Sequence, residues 1–226
     1  MLPEFKNQDL LITALTHRSA LNEKEQSGTT ASESNERLEF LGDAVLELAS
    51  TIFLYQERPA DAEGRLTAYR SALVRTETLA ELAKELGLNQ RMYLSKGEEA
   101  GGGRDNPGLL ADLLEAVIGA LYLDQGFSVV EDFLSQVLFP KFSEILASKA
   151  YRDQKSLLQE AVQARSLPTP AYRVIKEEGP DHSKTFTVEV LIDQEVWGLG
   201  QGNSKQRAQQ AAASMALKKI AEGNQL

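Results

Sequence analysis

The stretch that most constrains the fold is NERLEFLGDAVLELA, residues 35–49, because it separates apolar from acidic side chains at the spacing of an α-helix. At about 100° per residue, one helical face is apolar and holds Leu38, Leu41, Val45 and Leu48. The opposite face holds a row of acids, namely Glu36, Glu39, Asp43 and Glu47. Like charges at these spacings repel by about 0.2–0.5 kcal/mol per pair unless a cation or a basic partner compensates them. The row is therefore either a solvated acidic surface or one wall of a cation site.

A second pair of acids favours the cation site. Residues 108–124, GLLADLLEAVIGALYLD, are apolar on nearly every side of the predicted helix, as in a buried helix, yet they include Asp112 and Glu115. Charged carboxylates are almost never buried unless they are paired or bound to a metal. The rest of their strip is small, with Gly108, Ala116 and Gly119, so that a second helix could approach closely. Two acidic faces meeting in one cleft predict an oxygen-ligand site for Mg²⁺ or Mn²⁺.

Composition excludes several other classes of site. The 226 residues contain no cysteine and two histidines, His17 and His182, which excludes disulfides and makes a zinc site improbable. The first 20 residues lack the long apolar run of a signal peptide or membrane span, and no later segment supplies one. We therefore expect a cytoplasmic protein with no membrane partner.

The formal charge of −9 is unevenly distributed along the chain. Residues 1–150 contain 14 basic and 24 acidic residues, whereas residues 151–226 contain 10 basic and 9 acidic residues. A local basic patch, rather than total charge, decides affinity for phosphate, so the C-terminal part remains a candidate nucleic-acid binder.

Helical patterns dominate the first two thirds of the chain. The sequence predicts helices over residues 9–20, 61–74, 78–88 and 108–124, and two more within 127–147 around Pro140. The helix that contains residues 35–49 belongs to a region that ends at Pro59. Between them we expect a mobile polar loop over residues 23–34, whose last Ser or Asn caps the next helix, and a Gly-rich loop over residues 96–108. Gly101 to Arg104 could suggest a phosphate-binding loop, but no strand precedes it and no Gly-Lys-Ser follows.

The period of the pattern changes after a short polar linker at residues 148–154. A helix over 155–164, strands over 171–176, 185–192 and 195–200, and an Ala-rich helix over 205–220 give the order α-β-β-β-α. Gly198, Gly200 and Gly202 do not indicate a dinucleotide site, because that requires a parallel βαβ unit.

The run from Asn35 to Asp43 resembles the signature of the ribonuclease III family, and the resemblance continues through residues 63–67, 96–99 and 110–116. The C-terminal segment resembles the double-stranded-RNA-binding domain at residues 156–160, 179–182 and 200–205. The resemblance implies a mostly α-helical endonuclease domain at 1–148, a linker at 149–154 and a small α+β domain at 155–222.

The same resemblance implies a function and its residues. The chain would be an endoribonuclease that cleaves double-stranded RNA to 5′-phosphate and 3′-hydroxyl products with short 3′ overhangs, in rRNA and mRNA processing. Mg²⁺, which Mn²⁺ could replace, would be held by Glu39, Asp112 and Glu115. The catalytic set would be Asp43, which orients the attacking water, together with Glu115 and the accessory acids Glu36 and Glu63.

Two binding surfaces follow from the resemblance. Gln159 and Glu160 would contact 2′-hydroxyl groups in one minor groove, and His182 would reach the next. Phosphate would meet Ser204, Lys205 and Arg207 at a helix N-terminus, where Arg207 compensates for Gln206 at a position that is usually lysine. Phe40 would join two copies in a homodimer, because an apolar ring on an acidic face gains little unless a neighbour buries it.

Three alternatives accompany this prediction. A catalytically inactive double-stranded-RNA-binding scaffold would be expected to have lost a metal ligand, whereas all six acids are present. A metal-dependent phosphatase acting on small substrates would leave the C-terminal domain without a role. His17 is either catalytic or structural, and the structural role is favoured because nothing in the sequence pairs it with a nucleophile.

Overall fold

The computed structural model describes residues 2–148, 151, 153–179 and 184–221. The chain divides into two compact units, Met1–Tyr151 and Arg152–Leu226, each with its own hydrophobic core. A helical unit followed by an α-β-β-β-α unit confirms the predicted fold class. The division falls within the predicted linker, while the domain bounds at 148 and 155 stay predictions.

The first unit is built from helices of very different lengths. The α-helices are α1 Gln8–Ala14, α2 Lys24–Ser27, α3 Glu36–Glu57, α4 Glu63–Leu73, α5 Thr76–Glu85, α6 Leu88–Arg91, α7 Lys96–Ala100, α8 Pro107–Gln125, α9 Phe127–Val137 and α10 Lys141–Ser148. Short 3₁₀ helices cover Arg18–Glu23 and Gly103–Asp105.

Helix α8 is the centre of this unit. It packs against α1, α3, α5 and α9, and ten of its residues from Leu110 to Leu121 are buried. The Asn106 side chain caps its first turn by accepting hydrogen bonds from the N–H groups of Gly108 and Leu109. A helix buried on most sides is held rigidly, so its two acids are fixed relative to the core.

Glycine lets α3 and α8 approach almost to backbone contact. A Cβ atom on Gly42 would overlap the carbonyl oxygen of Glu115, and one on Gly119 would overlap the carbonyl oxygen of Leu38. The close approach predicted for the small strip of α8 is therefore confirmed, with Gly119 as its main contributor and Gly42 as the matching residue on α3. This contact brings the acids of both helices together.

The structure differs from the sequence predictions at the start of the chain. The helix predicted over residues 9–20 ends at Ala14, because Leu15 and His17 exchange backbone hydrogen bonds with Tyr93 on both sides of Thr16. The segment at 23–34, which was predicted to be a mobile loop, contains α2 and a packed portion. In that portion Thr29 is buried, and its hydroxyl group forms a hydrogen bond of 2.8 Å with the hydroxyl group of Thr16.

The Gly-rich segment at 96–108 is also more ordered than predicted. Ser95 caps α7 by accepting a hydrogen bond from Glu98 N–H. The Arg104 guanidinium donates to the carbonyl oxygens of Asn89 and Met92 and pairs with Glu99 at 2.8 Å. These internal contacts explain why Arg104 belongs to the fold rather than to a phosphate-binding loop.

Two predictions about α3 are wrong in detail. Leu48, assigned to the apolar face, is 53% exposed, because the buried stripe runs through Leu38, Val45 and Ala49 instead. Asn35 occupies the N-cap position but makes no capping hydrogen bond with its side chain. The helix ends at Glu57, shortly before Pro59, as the sequence predicted.

The second unit packs two helices on one side of an antiparallel sheet. Its elements are α11 Gln154–Gln163, β1 Ala171–Glu178, β2 Thr185–Ile192, β3 Glu195–Gly202 and α12 Lys205–Ala221, with strand order β1-β2-β3. Gly198, Gly200 and Gly202 lie directly under α12, where a Cβ atom on any of them would collide with its backbone. These glycines therefore serve helix–sheet packing.

No helix within the described part of the chain is both long enough and apolar enough to cross a membrane.

We predict that Gly42→Ala destabilises the first unit by about 1–3 kcal/mol or more, because the added methyl forces α3 away from α8. Urea unfolding followed by circular dichroism measures the loss. Gly64→Ala is the matched control: no atom lies within 4 Å of its Cβ position in α4. That variant should be neutral or slightly stabilising. Equal stability of the two variants would contradict the packing described for Gly42.

Candidate active site

Helices α3 and α8 place three carboxylates in one cleft. Glu39 comes from α3, and Asp112 and Glu115 come one turn apart from α8. One oxygen atom from each can be chosen so that all three lie within 4.8 Å of one another, and all three residues are half-buried. This grouping unites the three residues that were predicted as metal ligands, while their role as ligands stays a prediction.

The electrostatics of the cleft are strongest at Glu115. Burial, followed by the negative charges of Asp43, Asp112, Glu39 and Glu47, raises the pKa of Glu115 from its ordinary 4.5 to about 8. Without a cation, Glu115 is thus mainly protonated at neutral pH. The raised pKa shows that the cleft disfavours the ionised form of Glu115, and a bound cation would offset that penalty.

The other two carboxylates respond in the same direction. Burial and the charges of Asp112, Glu36 and Asp43 raise the pKa of Glu39. Burial also raises the pKa of Asp112, which His17 partly opposes by lowering it. Three acids that all disfavour ionisation together make a site that suits a divalent cation.

His17 borders the cleft and is held by a chain of hydrogen bonds. Its Nδ1 lies 2.8 Å from the Ser19 hydroxyl, which accepts a hydrogen bond from Ser95 N–H. Ser19 N–H also points to Nδ1 at 3.3 Å. These contacts fit the structural role favoured for His17. Its lowering of the pKa of Asp112 is an electrostatic link that the sequence did not reveal.

The remaining predicted acids, Asp43, Glu36 and Glu63, lie outside the group formed by Glu39, Asp112 and Glu115. Asp43 is exposed on α3 and acts through its charge on Glu39 and Glu115. Glu36 accepts a hydrogen bond from Ser34 at 2.8 Å and lies 3.5 Å from Arg18. Glu63 begins α4, accepts a hydrogen bond from Thr67 and lines a separate cavity.

Glu47 is the site residue that sequence reasoning did not single out. It lies one turn after Asp43, helps to raise the pKa of Glu115, and pairs with Arg70 of α4 at 2.7 Å. Arg70 also donates to the Thr51 hydroxyl at 2.8 Å. The i,i+4 spacing from Asp43 was visible in the acidic row, but the pairing with Arg70 depends on the tertiary fold.

An exposed apolar stripe runs along α3 beside the acids. Phe40, Leu48 and Tyr55 are 82%, 53% and 72% exposed and lie within about 80° of one another around the helix. Next to Tyr55 is a cavity of about 430 Å³, lined by Thr51, Leu54, Tyr55, Asp61, Glu63, Leu66, Thr67 and Arg70. Phe40 is thus an exposed apolar ring within the single chain, as expected of a residue that a second copy would bury.

The predicted RNA-binding residues of the second unit lie at two helices. Gln159 and Glu160 are exposed on α11. Ser204 accepts a hydrogen bond from Arg207 N–H at the start of α12, and the Arg207 guanidinium donates to the Asn203 side chain at 3.0 Å. Lys205 is exposed and pairs with Glu177. His182 lies outside the described residues.

Two family models match the chain, one for each unit. The model described as "Ribonuclease-III-like" matches residues 7–142, and the model described as "Double-stranded RNA binding motif" matches residues 154–220. These ranges follow the helical unit and the α-β-β-β-α unit closely.

Similar proteins cover nearly the whole chain. The protein named Ribonuclease 3 of Bdellovibrio bacteriovorus is 47% identical over 215 residues, which are 95% of this chain and 90% of that protein. Ribonuclease 3 of Bacillus cereus is 45% identical over 218 residues, 96% of this chain and 87% of that protein. A solved nuclease domain of ribonuclease III from Campylobacter jejuni is 41% identical, with a TM-score of 0.54, and covers 61% of this chain and 92% of that one. The work on that structure concerns flexibility in a region involved in its dimer formation.

The raised pKa of Glu115 predicts a pH-dependent stability in metal-free buffer. Between pH 4.5 and about 8 the folded protein keeps a proton on Glu115 that the unfolded chain has lost, so that the free energy of unfolding decreases as pH rises through this window. Glu115→Gln should make that decrease shallower, whereas Glu144→Gln, at an exposed acid of α10, should leave it unchanged. Urea unfolding at several pH values in EDTA tests this. Parallel curves for all three proteins would contradict the raised pKa.

Proposed function

Because the chain belongs to the ribonuclease III family, we propose that its acidic cleft is the centre at which it hydrolyses double-stranded RNA. The observation that supports this most directly is the grouping of Glu39, Asp112 and Glu115, whose oxygens lie within 4.8 Å of one another. The chain is accordingly an endoribonuclease specific for double-stranded RNA, and the second unit is its RNA-binding domain.

The donor set fits Mg²⁺, with Mn²⁺ as a substitute. Glu39, Asp112 and Glu115 offer only carboxylate oxygens, which these hard cations prefer. Their raised pKa values indicate a negative site that a divalent charge would relieve. When bound, the cation activates water and stabilises the leaving oxygen.

The other acids would act around this centre. Asp43 is exposed next to Glu39 and Glu115 and would orient the attacking water. The water oxygen adds to phosphorus and the bond to the 3′ oxygen breaks, which leaves a 5′-phosphate and a 3′-hydroxyl. Glu36 and Glu63 would be accessory, since both lie at the first turn of their helices and outside the central group.

The second unit would recognise the shape of the A-form duplex. Gln159 and Glu160 would contact 2′-hydroxyls, with His182 at the next minor groove. Ser204, Lys205 and Arg207 at the start of α12 would meet backbone phosphates. Substrates of this kind occur in folded rRNA and mRNA, which supports a role in their processing and a cytoplasmic location.

The apolar stripe of α3 would form a two-fold dimer interface. An antiparallel crossing of two α3 helices near Leu48 brings Phe40 of one copy opposite Tyr55 of the other, since the two positions lie eight and seven residues from Leu48. The cavity of about 430 Å³ beside Tyr55 is large enough for a phenyl ring. Such a contact is isologous, as two-fold symmetry requires. Two symmetric centres cutting opposite strands would produce short 3′ overhangs.

We predict that Glu115→Gln abolishes cleavage of a labelled RNA duplex in Mg²⁺ and leaves duplex affinity within about twofold, since phosphate contacts lie mainly in the second unit. Cleavage and binding are measured on one preparation, with Glu144→Gln as a surface control that should cleave normally. Cleavage at the wild-type rate by the Glu115 variant would contradict its assignment. Loss of binding would mean that the cleft also anchors RNA.

We predict that Phe40→Asp raises the dimer dissociation constant by about 100-fold or more, because two rings are lost and each is worth about 1.5–3 kcal/mol when buried. Double-strand cleavage should fall in parallel. Sedimentation velocity at micromolar concentration measures the assembly. Gln56→Asp adds the same charge at an exposed position of α3 that lies about 160° around the helix from Phe40, and should leave the dimer intact. A monomeric wild-type protein, or complete double-strand cleavage by monomeric Phe40→Asp, would refute the dimer.

A further inference from the structure

Glu177, near the end of β1, binds two lysines of the RNA-binding unit. Its Oε1 atom lies 3.0 Å from the Lys205 ammonium, and its Oε2 atom lies 3.8 Å from the Lys184 ammonium. Lys205 is the first residue of α12 and one of the residues to which the proposed function assigns a phosphate contact. The Lys205 ammonium, which RNA would need for a phosphate contact, is thus already paired with a carboxylate of the protein.

The local packing directs Lys205 toward this carboxylate. Gly202 lies under the first turn of α12, where a Cβ atom would collide with Ala208 N and Arg207, so the helix start is seated directly on β3. Phe186 of β2 pairs with both Gly202 and Glu177 in the sheet. The Lys205 ammonium lies 5.5 Å from the centre of the Phe186 ring. The lysine therefore extends across the sheet surface to Glu177.

The strength of this ion pair permits exchange. The side chains of Lys205 and Glu177 are 58% and 37% exposed, and ion pairs exposed to this degree typically contribute only about 0–1 kcal/mol. An RNA backbone phosphate also offers oxygen atoms that accept hydrogen bonds from the Lys205 ammonium, and its binding releases counterions condensed on the RNA. RNA can therefore displace the carboxylate, although Glu177 remains close and repels the incoming phosphate.

We propose that Glu177 is an RNA-affinity-setting residue, which holds Lys205 in the RNA-free protein and competes with backbone phosphate for it. This inference rests on the proposed function, in which Lys205 contacts phosphate. In this proposal the Glu177 carboxylate lowers the affinity for RNA and makes that affinity less dependent on salt concentration. A carboxylate that merely orders the Lys205 side chain for RNA would have the opposite effect on affinity.

The test uses the full chain in EDTA, so that the RNA duplex is bound and not cut. Glu177→Gln should bind the duplex about threefold to fivefold more tightly than wild type at moderate salt, because the competing charge is removed. The slope of log affinity against log salt should become steeper, by up to about 0.9 for one more effective phosphate contact.

Glu178→Gln is the matched control for net charge. Glu178 is the next residue of β1 and pairs with Lys176 at 2.8 Å, so that this variant removes one negative charge and leaves the Lys205 pair intact. Its affinity should change by less than about twofold. An equal gain from Glu177→Gln and Glu178→Gln, or weaker binding by Glu177→Gln, would overturn the proposal.

Lys205→Gln separates this inference from the function on which it rests. That variant should bind more weakly, and adding Glu177→Gln to it should recover much less than the single change gains, since the competed lysine is gone. If Lys205→Gln binds like wild type, the assigned phosphate contact is wrong and the proposal falls with it. If Lys205→Gln binds weakly but Glu177→Gln brings no gain, the phosphate contact stands and the competition is refuted.

Discussion

The close contact between α3 and α8 is the constraint on which the candidate active site depends. Gly42 and Gly119 remove the side chains that would hold the helices apart, and each would overlap the partner helix if it carried a Cβ atom. Glu39 and Glu115 flank this contact on their own helices. The acids therefore meet because the backbones meet, and any residue that separates the helices also opens the carboxylate group.

The same contact raises the free energy of the folded cleft when no metal is bound. Burial raises the pKa of all three central carboxylates, and the negative charges of neighbouring acids raise the pKa of Glu39 and Glu115 further, most of all at Glu115. Helix α8 tolerates this because its other faces are buried in the core and packed against neighbouring helices. In the proposed function a divalent cation relieves the repulsion, so binding of the cation and stability of the cleft are thermodynamically linked.

Sequence periodicity was sufficient for features that local spacing determines, and failed where tertiary contacts decide. The acidic face, the small strip of α8 and the α-β-β-β-α order follow from spacing alone, and the structure agrees with each. The early end of α1 depends on Tyr93, nearly 80 residues away, and the pairing of Glu47 with Arg70 depends on how α4 packs. Leu48 was misassigned because an amphipathic pattern does not distinguish a core face from an exposed apolar stripe.

Carboxylates control access to phosphate in both units under the proposed function. The first unit has ten more acidic than basic residues through residue 150, so its net charge repels an RNA backbone, and a cation in the cleft would reduce that repulsion locally. The second unit is nearly neutral, and its Lys205 is already paired with a carboxylate. Neither unit is a general polyanion binder by charge alone. Productive binding then requires the duplex to supply several contacts at once, which is the property that distinguishes recognition of A-form shape from attraction to negative charge.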